Sequence, residues 1–402
     1  MNHVVTTRSP HDFLSVVPYL AGYLPENSVV LVAFEGRRTR GVMRFGLPAD
    51  TAIGTGERHA TSVLGMFCRI PKVDAVVAIA YTDTRIDDRL PLGPFMRAVI
   101  ARARFSGFTV LDALCVAADG WGSYLDPECP PGGRPLALIT GSPAGRQMAG
   151  EAPVAPRPIE HGATLPPVDP MLKEAFDERL DTLRDALDDV MGSDDDGTMD
   201  YGQEASDLVE TLVDFASTVE KLLASPIPPA PELAATAVFG LRLFPLRDST
   251  LLQVAFGVAM GRRLSPVNLT HDPRHRAAAD QTVAERAAAE RVEAERATAS
   301  RLLAGIGPRP DGERMRRSID AWRVLAALAD DLDRPPLLCM LGWMEWALGR
   351  SSVAAVYVDE ALRIDPECTV AGLLAEAFAV GHLPEWAFAP DASTPDAFTP
   401  DG

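Results

Sequence analysis

Three runs of aliphatic residues in the first third of the chain constrain the fold more strongly than any other feature. They are, in order, SVVLVAF at 28–34, VDAVVAIAYTD at 73–83 and FTVLDALCVAAD at 108–119. Unbroken runs rich in valine and alanine are typical of strands that are covered on both faces. A helical pattern over 94–105 separates the second run from the third, which predicts a parallel strand pair with a right-handed crossover.

Weaker strand signals flank these runs. The segment TRGVMRFGL at 39–47 follows the turn EGRR and is predicted to pair with the first run as a hairpin. Short strands around 122–125 and 136–139 are expected to add an edge. Together the patterns predict an α/β domain over residues 1–150, with a mixed, largely parallel sheet and flanking helices.

The rest of the chain has a different composition. Residues 151–168 are rich in proline and are predicted to form an extended linker. Apolar residues then recur at helical spacing, which predicts an all-α domain over 169–388 and a disordered tail over 389–402. Within this domain we expect helices over 170–192, over 208–222 and twice over 232–263, and an exposed helix over the Glu-Arg repeats at 284–299.

One segment of the helical domain has a more specific spacing. Leu341, Gly342, Gly349, Ala354, Ala361 and Pro366 fall at the offsets of a tetratricopeptide unit, in which small residues let two helices approach closely. The segment 335–368 is therefore predicted to be a tetratricopeptide-like (TPR-like) hairpin. An ordinary helical hairpin that ends at Asp365 and Pro366 explains the same residues equally well.

Charge and cysteine content limit the classes of partner. Lys and Arg number 38 against 56 Asp and Glu, and the net charge of -18 disfavours binding to nucleic acid or to anionic membranes. No apolar run has the length of a membrane span, and the N-terminal residues show no signal-peptide pattern. The five cysteines are never spaced as CxxC, which indicates reduced thiols and a cytoplasmic protein.

Several catalytic signatures are absent from the sequence. It contains no GxxxxGK[ST], HExxH or GxSxG motif, so nucleotide hydrolysis at a phosphate loop, zincin proteolysis and the usual serine elbow lack their residues. His271 and His275 lack a third nearby ligand. The acidic segment 192–204 has Gly and Gln where a calcium loop needs carboxylates. We therefore expect no metal ion and no cofactor.

Two carboxylates follow neighbouring strands of the predicted sheet. Ligands bind beyond the carboxyl ends of strands in open α/β sheets, and Asp83 and Asp119 come directly after the second and third runs. Glu35 is a possible third carboxylate and Trp121 a possible apolar wall. Aspartates also end strands because they favour turns and caps, and this interpretation is preferred because no nucleophile, metal-ligand set or anion-binding loop accompanies them.

A basic residue in the helical part is the last candidate for ligand binding. Arg247 in FPLRDS could bind an acidic neighbour or reach the α/β domain. Asp248 beside it is expected to cap a helix that begins at 249 or 250. A structural role for this pair is favoured over ligand binding, because helix capping alone explains Asp248.

Five segments resemble a known family. They are SPHDFLSVVPYLAGYLPENSVVLVAF, VVAIAYTD, DGWGSYL with CPPGG, FPLRDS, and LGWMEWALGRSSVAAVYVDEALRIDP. Over about 9–385 the chain resembles the actinobacterial domain-of-unknown-function family 4192 (DUF4192). The resemblance implies no activity. Members of the family often carry Cys-Cys-Pro where this chain has Glu128-Cys129-Pro130, so a potential ligand is missing here.

These observations favour a non-catalytic protein-interaction or regulatory module with protein partners. Trp343, Trp346 and Tyr357 are candidate contact residues for such a partner, although aromatic residues at helical spacing usually belong to the core. The alternative is a small-molecule enzyme or sensor that uses a cleft at Asp83 and Asp119.

Overall fold

The chain forms two compact units that meet in sequence at Gly162 and Ala163. The structure, a computed structural model, describes residues 7–48, 53–151, 155–192, 203–269, 283–379 and 381–388. The predicted disordered tail, most of the acidic segment at 192–204, and the pair His271 and His275 lie outside the described residues.

The first unit contains a five-stranded sheet. Its strands are β1 (Ser28–Glu35), β2 (Arg38–Gly46), β3 (Ala75–Tyr81), β4 (Thr109–Val116) and β5 (Trp121–Ser123), arranged in the order β2-β1-β3-β4-β5. The three aliphatic runs form β1, β3 and β4, which lie side by side as predicted. The β1–β2 hairpin is also confirmed.

The direction of the strands corrects one prediction. Only β3 and β4 pair in parallel, while β1 is antiparallel to both β2 and β3, and β5 is antiparallel to β4. The sheet is mixed but not largely parallel. The cause is helix α2 (Ile53–Phe67), which the sequence patterns did not predict. It carries the chain from β2 across β1, so that β3 runs in the direction of β2 and opposite to β1.

Helices cover both faces of this sheet. Alternate residues of β1 separate the two layers: Val29, Leu31 and Ala33 pack in a cluster with α2 and with α3 (Gly93–Phe105), which matches the predicted helix over 94–105. Val30, Val32 and Phe34 pack with Leu14 and Val17 of α1 (Pro10–Ala21) on the opposite face. Continuous apolar strands are required because neither face is exposed to water.

Three short helices follow the loop after β5. They are α4 (Ala137–Thr140), α5 (Pro143–Glu151) and α6 (Ile159–Ala163). The predicted strand around 136–139 is therefore wrong. Leu136 and Ile139 instead pack on the same sheet face as α1.

The second unit is helical. Its helices are α7 (Pro170–Gly192), α8 (Gln203–Val213), α9 (Phe215–Ala224), α10 (Pro231–Arg242), α11 (Phe244–Phe256), α12 (Val258–Leu269), α13 (Val283–Leu303), α14 (Gly312–Leu328), α15 (Arg334–Ala347), α16 (Ser351–Ile364) and α17 (Thr369–Ala379). The helix predicted over 208–222 is broken at Asp214, and the segment 232–263 contains parts of three helices instead of two. None of the described helices is both long enough and apolar enough to span a bilayer.

The aromatic residues of the helical hairpin α15–α16 belong to the core. Trp343, Trp346 and Tyr357 are only 3%, 2% and 1% exposed. The indole N–H of Trp343 donates to the Leu303 carbonyl at 2.8 Å, and that of Trp346 donates to the His382 carbonyl at 2.7 Å. The expectation that these residues contact a partner is wrong, because aromatic residues at helical spacing here fill the interior between helices.

Candidate functional site

The two candidate aspartates lie at one edge of the sheet. Asp83 follows β3 and Asp119 follows β4, and these strands are parallel neighbours. The loops after them bind each other, because the Thr82 N–H donates to the Val116 carbonyl at 3.0 Å and the Ala118 N–H to the Thr84 carbonyl at 3.2 Å. The two loops at the carboxyl ends of β3 and β4 are therefore held together by backbone hydrogen bonds.

Both carboxylates have partners within these loops or close to them. Asp119 accepts the Ile86 backbone N–H at 2.9 Å and pairs with Arg85 at 3.2 Å. Asp83 is exposed, and its Oδ2 accepts from the side-chain amide of Asn27 at 3.4 Å. These contacts give both residues a structural role in turns, in agreement with the alternative interpretation of strand-ending aspartates.

Glu35 lies at the opposite edge of the sheet. Because β1 is antiparallel to β3, its first residue Ser28 is opposite Tyr81, and its end is beside the start of β3. Glu35 forms an ion pair with Arg40 across the β1–β2 hairpin. The expectation that it is a third carboxylate beside Asp83 is wrong, and it depended on a parallel β1.

Arg247 lies in the second unit, on helix α11. It is buried, and its Nε donates to Asp248 Oδ1 at 3.2 Å, so the pairing with an acidic neighbour is found within one turn of helix. Asp248 does not cap a helix, because α11 begins at Phe244 with proline in its first turn. Burial raises the pKa of Asp248 above its ordinary value, although Arg247 opposes this shift.

Trp121 lines a surface depression of the first unit that the sequence patterns did not predict. We call it the Trp121 depression; its volume is about 580 Å³. It is lined by Pro10, His11, Leu111, Asp112, Trp121, Ser123, Leu125, Asp126, Arg134 and Leu138. Trp121 is 2% exposed, and its indole N–H has no hydrogen-bond partner among the described residues. The depression lies beside β5, on the sheet face that α1 covers.

One wall of the Trp121 depression is the loop 126–134. The backbones of Arg134 and Trp121 exchange two hydrogen bonds, of 2.7 and 2.9 Å. This approach needs glycine at 133, where φ is +73° and a Cβ atom would lie 2.6 Å from Ile86 Cδ1 and 2.9 Å from the Trp121 carbonyl oxygen. The turn CPPGG therefore holds the loop against β5.

Charged groups on this wall are paired with each other. Arg134 binds Asp126 at 2.6 Å, and its guanidinium lies 5.4 Å from the Trp121 ring centroid. The Glu128 backbone N–H and Arg134 together hold the pKa of Asp126 below its ordinary value. Asp126 therefore remains an anion beside the apolar floor.

The strand side of the depression is also polar. Asp112 Oδ1 accepts the Ser123 hydroxyl at 2.5 Å and the Ala113 backbone N–H at 2.7 Å.

Three leucines at the surface complete the lining. Leu111, Leu125 and Leu138 are 50%, 38% and 44% exposed, unlike the leucines of the core.

The start of α1 closes the remaining side. His11 lies with its ring centroid 6.0 Å from that of Trp121, and its Nε2 is 3.1 Å from the Ser9 hydroxyl. The helix is anchored there because the Ser142 hydroxyl donates to Asp12 at 2.6 Å and accepts from Ser15 at 3.1 Å. The hydrogen bond from Ser142 lowers the pKa of Asp12.

Comparison with known families found a match, which extends over most of the first unit and part of the second. A family model described as a domain of unknown function, DUF4192, matches residues 10–260. The chain belongs to the DUF4192 family. The DUF4192 match includes every residue that lines the Trp121 depression and ends inside α12 of the second unit. No curated protein and no solved structure matches the chain.

Sequence reasoning missed most of this site. His11, Asp112, Asp126 and Arg134 were not singled out, and Trp121 was predicted as the wall of a cleft at Asp83 and Asp119, neither of which lines the Trp121 depression. The available signal was the segment DGWGSYL…CPPGG at 119–133, whose glycines and prolines indicate a tight loop returning to a strand. Among the described residues, no group of three or more His, Cys, Asp or Glu side chains could hold a metal ion.

Proposed function

We propose that this DUF4192 protein is a non-catalytic protein-interaction module, and that the Trp121 depression binds an extended segment of a protein partner. The observation that carries the proposal is the cluster of half-exposed leucines, Leu111, Leu125 and Leu138, around a buried tryptophan. Clustered apolar side chains in a depression with a polar rim are typical of interaction surfaces.

The free edge of β4 supports an extended ligand. Strand β5 pairs only with Leu114–Val116, so 109–112 have a strand partner on the β3 side alone within the part of the chain that the structure describes. Unpaired strand edges bind extended peptides through main-chain hydrogen bonds, while neighbouring pockets select side chains. Leu111, in this edge, also lines the depression.

The chemistry of the lining indicates what the segment contains. Apolar side chains of the segment would cover the three leucines that line the depression. The net charge of -18 attracts a basic segment and speeds its association. The ligand is therefore an extended segment with apolar residues and positive flanks.

Two finer expectations accompany this proposal. In it, α15 and α16 form a TPR-like hairpin, which is supported by their three-residue connection and by Gly342, where a Cβ atom would lie 2.9 Å from Val358 Cγ2. A cytoplasmic location in an actinobacterial host is supported by the five free thiols and by the family resemblance. The alternative, an enzyme or sensor that uses Asp83 and Asp119, gains no support, because both carboxylates are hydrogen-bonded to other residues of this chain.

The test uses the full-length chain and a displayed library of random short peptides. Peptides that the chain selects are synthesised, and their affinities are measured by fluorescence anisotropy for the wild type, Leu111→Asp and Leu125→Asp. We expect each variant to weaken binding about tenfold or more, because a carboxylate replaces an apolar contact. Leu373→Asp, on α17 of the second unit and 62% exposed in the wild type, is the matched control.

Circular dichroism first establishes that the variants remain folded. Equal affinity of the selected peptides for the wild type, Leu111→Asp and Leu125→Asp would exclude the Trp121 depression as their site. Equal loss in Leu373→Asp would show a non-specific effect of added charge, which also contradicts the proposal.

A further inference from the structure

Two cysteines of the second unit lie close together. Cys339 is on α15, and Cys368 immediately precedes α17. Their sulfur atoms are 3.8 Å apart although 29 residues separate them along the chain. The sulfur atoms of a disulfide are about 2.05 Å apart. The two sulfur atoms therefore need to approach each other by less than about 2 Å to form the bond.

The two thiols differ in access and in charge. Cys339 is 1% exposed, whereas Cys368 is partly exposed to solvent. The hydrogen bond from Cys339 and the backbone N–H groups of Ala371 and Val370 at the start of α17 lower the pKa of Cys368 to about 6. The hydrogen bond and burial raise the pKa of Cys339. These shifts favour the thiolate at the accessible sulfur of Cys368 and the thiol at the buried sulfur of Cys339.

Other charges near the pair have opposing effects. Asp365 raises the pKa of both thiols, while Arg247 lowers that of Cys339. The remaining cysteines, Cys68, Cys115 and Cys129, are in the first unit. They serve as comparators, since Cys68 is exposed and Cys115 is buried.

We infer that Cys339 and Cys368 form a redox-active dithiol, a modification site that low-molecular-weight disulfides oxidise. The Cys368 thiolate attacks one sulfur of the reagent, forms a mixed disulfide and expels a thiolate. The expelled thiolate takes the proton of Cys339. The Cys339 sulfur then attacks Cys368 Sγ, forms the protein disulfide and expels the second thiolate. Two cysteine sulfurs are oxidised, and the reagent is reduced to one thiol and one thiolate, which takes a proton from water.

The order of attack follows from access. A reagent in solvent reaches the partly exposed Cys368, whose position before a helix favours the thiolate. Cys339 acts second because it is covered by the surrounding helices and needs no contact with the reagent. The dithiol is thus arranged as an attacking cysteine and a resolving cysteine.

The experiment treats the folded, full-length protein with oxidised glutathione, blocks the remaining thiols by alkylation and maps peptides by mass spectrometry. We expect the Cys339 and Cys368 peptides to be found linked and two hydrogen atoms lighter than their sum. Cys68 should carry a single glutathione. In Cys339→Ser, the reaction should stop with glutathione on Cys368, and in Cys368→Ser, Cys339 should stay unmodified.

The control is Cys68→Ser, which should leave the linkage of the other two cysteines unchanged. Failure of the wild type to form the linked peptides, while Cys68 is modified, would overturn the inference. Modification of Cys339 in Cys368→Ser at the wild-type rate would overturn the order of attack and, with it, the assigned roles.

Discussion

Asn27 and Asp83 exchange two hydrogen bonds, one from the Asn27 amide to Asp83 Oδ2 at 3.4 Å and one from the Asp83 backbone N–H to Asn27 Oδ1 at 3.2 Å. Asn27 precedes β1 and reaches the end of β3 because these strands are antiparallel. The turn PENS at 25–28 is thus hydrogen-bonded to the loop after β3.

The loops at this edge give a first prediction. Asp119→Ala should lower the free energy of unfolding by about 1 kcal/mol, because the Ile86 N–H loses its acceptor. Asp83→Ala should cost less than about 0.5 kcal/mol, because its side chain is exposed to water. Urea denaturation of the full-length chain measures both values. A larger loss for Asp83→Ala than for Asp119→Ala would contradict these roles.

Close packing of α15 and α16 gives a second prediction. A Cβ atom at Gly342 would lie 2.9 Å from Val358 Cγ2 and 3.3 Å from the Ala354 carbonyl oxygen. Gly342→Ala should therefore lower the free energy of unfolding by about 1–3 kcal/mol. Gly372→Ala on α17 is the matched control, because nothing beyond its chain neighbours and its own helix backbone lies within 4 Å of its Cβ position. Thermal or urea unfolding should show that the control gains up to about 1 kcal/mol from helix propensity.

Glu345 gives a prediction on pH. It is 3% exposed and pairs with Arg350, and burial raises its pKa above the ordinary value of 4.5. As pH rises past 4.5, the unfolded chain releases this proton first and the folded chain keeps it longer. The stability of the wild type should therefore fall relative to Glu345→Gln until the pH exceeds the raised pKa. Urea unfolding at a series of pH values measures this difference.

Asp12 should show the opposite slope in the same experiment. Its pKa is below the ordinary value of 3.8 because the Ser142 hydroxyl donates to it. The wild type should lose stability relative to Asp12→Asn as pH falls through the lowered pKa, since the folded carboxylate resists protonation. If the stability difference from the wild type changes with pH in the same direction for both variants, the opposite pKa shifts of Glu345 and Asp12 would be contradicted.

The last prediction concerns a buried carboxylate shared by two arginines. Asp333 is 1% exposed and binds Arg184 at 2.8 Å and Arg242 at 3.0 Å. Asp333→Asn should cost about 2 kcal/mol, less than for a fully buried pair because both arginines are partly exposed. Asp331→Asn is the control, since Asp331 pairs with Arg334 and is 75% exposed. A similar loss in both variants, measured by urea unfolding, would argue against the shared site.

Apolar patterns predicted which segments form the sheet but not their directions. The residues of β1 and β3 are apolar on both faces, and such runs look the same whichever way the strand points. The direction of β1 depended on α2, whose glycines, threonines and serine have low helix propensity. Because α2 was not predicted, the direction of β1 relative to β3 was predicted wrongly. Glu35 was therefore expected near Asp83, whereas it lies at the other end of the strands.

The candidate site was predictable only in part. Trp121 could be singled out from its own chemistry, but Asp126 and Arg134 meet it through the turn at Gly132 and Gly133, a tertiary contact. The prediction that Asp248 caps a helix was wrong for a local reason. The helix α11 begins earlier than the capping pattern indicated, with a proline in its first turn.

The family match ends at residue 260, inside the second unit. Leu252, which the match includes, shares a hydrophobic cluster with Leu264 and Leu302, which it does not. Helices α9, α10 and α11 likewise pack against α14 or α15. A fragment cut at the family boundary would leave these apolar surfaces in water and would be prone to aggregate during expression. The region that the family model matches is therefore shorter than the region that the second unit needs to bury its core.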